Sequence, residues 1–108
     1  MFRFFKKIFP KSSESISTDE LEAILKDEKV RLLDVRTPKE YRSGHIRQAR
    51  SFPLDLIPTY QESKDGKIYV ICQSGMRSKR AASMLAAKGY EVINVRGGMS
   101  AYHGKIVG

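Results

Sequence analysis

Cys72 is the one cysteine of this 108-residue chain, and its neighbours make it a candidate for chemistry. It ends the apolar run Lys67-Ile68-Tyr69-Val70-Ile71 and is followed by Gln73-Ser74-Gly75-Met76-Arg77-Ser78-Lys79-Arg80. A short glycine-containing loop between a buried strand and a helix can curl so that its N–H groups point inward, making an anion cradle at the helix N-terminus. Arg77, Lys79 and Arg80 add positive charge. A thiol at the bottom of such a cradle ionises below its usual value of about 8.5, and the thiolate is the nucleophile. This activation needs no histidine. An inert cysteine ending a strand is the structural alternative, and it leaves Gly75 and the clustered bases unexplained.

The anion that fits depends on loop length. A cysteine phosphatase pattern, C-x5-R, requires arginine at position 78, which is Ser78, whereas Arg77 gives C-x4-R. A tighter ring suits a smaller load, such as a single sulfur carried on Cys72. A persulfide is anionic near neutral pH, so the same amides can hold it. Phosphatase or arsenate-reductase chemistry is accordingly disfavoured.

Other polar residues carry weaker signals. Asp34 and Arg36 close a second strand on the same sheet edge and are candidates to border the pocket, although a structural network with Glu40 or a loop backbone is the stronger reading. His45 is read as hydrogen-bonded within the turn after Gly44 rather than as a base. One cysteine and two histidines, His45 and His103, give no recognised zinc spacing, so no metal and no organic cofactor is expected.

The elements that must position Cys72 follow from periodicity and caps. Ser17 and Glu20 fit a capping box, with Ile16 placed to staple onto Leu21. Val30–Val35 reads as a strand. Thr37, Pro38 and Glu40 fit a second box with proline at the first helical position, ended by Gly44. Ala49–Pro53 reads as a brief strand, Leu54–Tyr60 as an irregular helix broken at Pro58, and Asp65-Gly66 as a turn. Lys67–Ile71 is apolar enough to be buried on both faces. A helix follows over Ser78–Lys88, closed by Gly89; Tyr90–Val95 is the last strand, and Gly97-Gly98 turns into a final helix. Strands alternating with helices imply a parallel α/β sheet with right-handed crossovers.

Composition supports one small domain: 41% of residues are hydrophobic and 30% charged, too apolar for disorder. A single cysteine closes no disulfide within the chain and points to a reducing, cytoplasmic setting. The net charge of +8 includes +4 from Arg3, Lys6, Lys7 and Lys11 in the first eleven residues. Over the rest, acids and bases interleave without a basic face, so nucleic acid is not an expected partner. Residues 1–15 read as a basic aromatic tail and linker, and residues 16–108 as the domain. Within the tail, residues 1–9 combine Phe2, Phe4, Phe5, Ile8 and Phe9 with bases, a pattern for peripheral contact with an anionic membrane. No run reaches the ~20 apolar residues of a membrane span.

From Ser17 to Lys105 the chain resembles a single-domain rhodanese, the sulfurtransferase family. The resemblance rests on Leu33-Asp34-Val35-Arg36 with Pro38, Glu40 and Tyr41; Gly44-His45-Ile46 with Ala49; Cys72-x-x-Gly75-x-Arg77-Ser78; and Asn94-Val95 with Gly97-Gly98. Gln48 stands where that family usually has glycine, and Tyr102 where tryptophan is common. The resemblance implies an α/β fold with a central five-stranded parallel sheet between helices. It also implies Cys72 as the persulfide-bearing nucleophile, loop amides from Gln73, Ser74, Gly75, Met76, Arg77 and Ser78, and Arg77 as the residue that binds an anionic donor. The expected partners are a small sulfur donor, thiosulfate or a persulfide, and a thiol or cyanide acceptor. A non-catalytic sulfur-carrier, sensing or interaction module is the alternative.

Overall fold

The computed structural model describes residues 14–27 and 29–108; the expected membrane-touching segment, residues 1–9, lies outside them. Five strands form one sheet: β1 (Ser15–Ile16), β2 (Arg31–Asp34), β3 (Ala49–Ser51), β4 (Lys67–Ile71) and β5 (Glu91–Val95). Their order is β1-β5-β4-β2-β3, and every pairing is parallel. The α/β class with a central five-stranded parallel sheet is therefore observed. The edge strand β1 was not foreseen, because two residues are too few to show a period.

Among the described residues, α1 (Thr18–Asp27), α2 (Pro38–Arg42), the 3-10 helix Leu54–Thr59 and α3 (Met76–Ala87) connect the strands, and α4 (Gly98–Ala101) follows the last of them. Both capping boxes form. The Ser17 N–H donates to Glu20 Oε1 at 2.8 Å while the Glu20 N–H donates to Ser17 Oγ at 3.1 Å. Thr37 and Glu40 make the reciprocal pair around Pro38.

Strand periodicity sorts the core into two faces. Ile68, Val70 and Cys72 of β4, with Leu33 and Val35 from β2, pack against Ala81, Ala82 and Leu85 of α3. Tyr69 and Ile71 point the other way, to Leu21, Ile46, Ile93 and Val95. Parity thus sends the Cys72 side chain to the face that α3 covers. The strand order reverses between β2 and β4, and in open α/β sheets ligands bind at that switch point, outside the strands' carboxyl ends. Asp34, Arg36 and Cys72 all lie there. Among the described residues, no helix is long and apolar enough to cross a membrane.

Candidate active site

The sequence reading starts the helix after Cys72 at Ser78; the structure starts it at Met76. The cause is Gly75, whose φ of +105° turns the chain directly into α3 from the N-cap position. The loop proper is only Gln73–Gly75, and Met76, Arg77 and Ser78 form the first turn of the helix. Their amides are the unsatisfied donors of a helix N-terminus and converge there with the helix dipole.

A second helix end fixes the loop from behind. The Met99 N–H donates to the Cys72 carbonyl at 2.8 Å, and the Ser100 N–H to the Gln73 carbonyl at 2.9 Å. With those two carbonyls engaged by α4, the N–H side of the loop faces the thiol. The contact is close enough to require Gly98, since a Cβ there would stand 2.3 Å from the Cys72 carbonyl oxygen.

Cys72 is 1% exposed and packs within the core, yet its sulfur has polar partners. The Gly75 N–H donates to Sγ at 3.0 Å. Burial pushes the thiol's pKa up, but the Ser78 hydroxyl and the backbone N–H groups of Ser78, Gly75 and Ser74 outweigh it and hold the pKa below the ordinary value. The Ser78 side chain, fully buried, also lies 3.2 Å from the Gly75 carbonyl. Its hydroxyl has one proton to give, to that carbonyl beside a neutral thiol or to the sulfur once it ionises.

The three bases, adjacent in sequence, are dispersed in space. Arg77 makes a two-pronged ion pair with Glu40, Nη1 to Oε1 at 2.7 Å and Nη2 to Oε2 at 2.9 Å. That pair, with the Thr37 N–H, holds Glu40 at a pKa of about 2. Lys79 faces a cavity on the β5 side, whereas Arg80 shares a groove with Arg77, Pro58 and Met84. Met76 stands 76% exposed beside the loop.

Asp34 and Arg36, read as bordering the pocket, are 0% and 3% exposed. Arg36 donates to both Asp34 carboxylate oxygens, to the Gly44 carbonyl at 2.8 Å and to Gln73 Oε1 at 3.2 Å. The partner is thus the loop backbone, and Glu40 serves Arg77 instead. Gln73 Nε2 in turn donates to Ser100 Oγ, so its side chain ties β2 to α4 across the cysteine loop. His45 Nδ1 lies 2.7 Å from the Tyr41 carbonyl and its ring stacks on Tyr41, in the turn and away from Cys72. The Glu40–Arg77 pair was missed because Glu40 already had an explanation as a capping residue.

The family profile described as the Rhodanese-like domain matches residues 17–105. This chain belongs to the rhodanese-like family. It is 40% identical over 93 residues to a protein named sulfurtransferase from Allochromatium vinosum, a match covering 83% of each chain. It is also 40% identical over 81 residues to the uncharacterised YqhL of Bacillus subtilis, covering 72% of this chain and 64% of that protein. Among solved structures, a rhodanese-like domain protein from Staphylococcus aureus superposes with a TM-score of 0.80 at 38% identity, covering 85% of this chain and 93% of the other. Similar proteins carry the names sulfurtransferase, Putative sulfur carrier protein and tRNA uridine(34) hydroxylase, and a sulfurtransferase-like enzyme is the assignment the sulfurtransferase relatives support.

Proposed function

We propose that this chain moves a sulfane sulfur from a small anionic donor to a thiophilic acceptor through a persulfide on Cys72. The observation that carries the reading is the set of donors converging on Sγ: the Gly75 N–H at 3.0 Å, with the Ser78 hydroxyl and the Ser74 and Ser78 amides lowering the thiol's pKa. In the first step the Cys72 thiolate attacks the outer sulfur of thiosulfate. The sulfur–sulfur bond of the donor breaks and sulfite leaves with the bonding pair. The persulfide anion that forms meets the same N–H groups. In the second step cyanide or an acceptor thiolate attacks the outer sulfur, and Cys72 leaves as thiolate. No change in overall oxidation state is required and no cofactor takes part.

Within this reading Ser74, Gly75, Met76 and Ser78 shape the cradle, and Gln73, Asp34 and Arg36 hold it in place. Arg77 supplies charge near the mouth while Glu40 fixes its direction. Domain limits of 16–108 and a tail at 1–15 complete the proposal, with Ser15 of the tail joining the sheet as the first residue of β1. Incubation with thiosulfate should add one sulfur atom, about 32 Da, at Cys72. Cys72→Ser should gain no mass and lose all thiosulfate:cyanide turnover; turnover surviving that change assigns the nucleophile elsewhere.

A further inference from the structure

Beside the cysteine loop, towards β5, lies a cavity of about 310 Å³ that the sulfur-transfer steps leave unused. Ser74, Gly75 and Met76 of the loop form one wall; Lys79, Asn94 and Arg96 supply its larger polar groups. Lys79 and Arg96 bring two positive charges, and no acidic side chain lines the cavity. The Arg96 guanidinium is held in place by donating to Ser15 Oγ at 2.9 Å. Asn94 is 7% exposed, and its Oδ1 is the buried side-chain oxygen that lacks a hydrogen-bond partner among the described residues. Buried polar atoms are nearly always paired, so an orphan in the wall of a cavity marks a place where a partner is missing.

These features define a ligand by chemistry. Two cations in a lining that holds no acid favour an anion, although Glu20 acts on Arg96 from outside the cavity, and Arg96 offers a planar fork suited to a carboxylate. An unpaired amide calls for a neighbouring hydrogen-bonding group, an N–H to meet Oδ1. The volume is at the lower end of the range that small-molecule sites occupy. We propose that this cavity is a subsite for the carboxylate of a small thiol that also carries an amide N–H, so that the acceptor is chosen by its charged end while its sulfur is presented to the adjoining loop. This rests on the sulfur-transfer reading. The acceptor thiolate attacks the outer persulfide sulfur, the bond from that sulfur to Cys72 Sγ breaks, and the acceptor persulfide anion and the Cys72 thiolate form with no net gain or loss of a proton.

The test compares N-acetylcysteine with its methyl ester, which keeps the thiol and the N–H but removes the carboxylate charge, on the full chain loaded with thiosulfate. The acid should show a KM lower than the ester by about tenfold, the factor one charge-assisted contact is worth. In Arg96→Gln that gap should close while persulfide loading, read by mass, stays as in the wild type. Titration of the unloaded protein with N-acetylglycine, which has no thiol, should shift the Asn94 side-chain amide and the Ser74 and Gly75 backbone resonances. Equal KM values for acid and ester in the wild type, or inorganic phosphate shifting the same resonances as strongly as N-acetylglycine, overturns the subsite and leaves sulfur transfer standing. Absence of the mass gain in the wild type defeats sulfur transfer, and the N-acetylglycine titration then still decides the cavity.

Discussion

Ser78→Ala isolates the role of a single hydroxyl. Ser78 is fully buried, and its O–H leads the groups that lower the Cys72 pKa. A hydrogen bond to a charged group contributes about 1.5–3 kcal/mol. At about 1.36 kcal/mol per tenfold, its removal raises the thiol pKa and cuts the thiolate population below it by about one to two factors of ten. Below both pKa values each such factor of ten returns about threefold in intrinsic nucleophilicity, since the Brønsted slope is about 0.4–0.5. Alkylation of Cys72 by iodoacetamide should therefore slow by about 3- to 12-fold at low pH. Above both pKa values only the nucleophilicity gain survives, and the variant should react about 3- to 8-fold faster than wild type. The two pH–rate curves must cross. Curves that stay parallel, with the variant slower at every pH, would refute the claim that the hydroxyl acts by stabilising the thiolate, and would point to altered packing instead.

Three further substitutions, with Gly66→Ala as a control, probe the supports of the site. Glu40 has a folded pKa of about 2 against an ordinary 4.5, so its contribution to stability is present above pH 4.5 and is lost as pH falls towards 2. Glu40→Gln should flatten the pH dependence of urea unfolding in that window by about 1 kcal/mol, the screened value for a pair this exposed; an unchanged slope means the pair is energetically idle. Gly98→Ala puts a Cβ against the Cys72 carbonyl at a φ of +57° and should cost at least about 2 kcal/mol, with altered Cys72 alkylation. Gly66→Ala, also at positive φ but with nothing within 4 Å, should leave alkylation unchanged, and equal effects of the two would deny the loop contact. Arg36→Met leaves the Asp34 charge buried without its partner and should lower unfolding free energy by about 3–5 kcal/mol, read by denaturant titration.

How far the molecule is legible without coordinates depends on the range of the interactions. Both capping boxes, the buried strand Lys67–Ile71 and the turn at Asp65-Gly66 are set by residues a few positions apart, and each forms where the spacing places it. The α3 start was misplaced by two residues because the deciding quantity, the positive φ at Gly75, depends on the packing of that residue against Gly97, whose N lies 3.3 Å from where a Cβ would be. The Glu40–Arg77 pair spans 37 positions and the Gln73–Ser100 contact 27, and nothing local in either segment signals them. Arg36 was read as structural with Glu40 or a loop backbone as partner; the Gly44 carbonyl is the loop backbone, and the long-range contact to Gln73 had no local signal.

Sequence adjacency of charge also misleads about what activates the thiol. Arg77, Lys79 and Arg80 form a dense basic run, and the natural inference is that guanidinium and ammonium groups create the positive potential at Cys72. Once Gly75 starts the helix early, these side chains part from the first turns of α3: Arg77 reaches Glu40 and shares the Met84 groove with Arg80, while Lys79 turns to the β5-side cavity. What remains pointed at sulfur is a hydroxyl and peptide N–H groups, held because α4 has taken the carbonyls of Cys72 and Gln73. Dipoles fixed by the backbone are short-ranged and buried, so salt screens them little, whereas exposed cations lose much of their reach within a Debye length of about 8 Å at physiological ionic strength. The division of labour in the proposed sulfur transfer would follow from this: amides and Ser78 lower the thiol's pKa, and the cations attract the anionic donor.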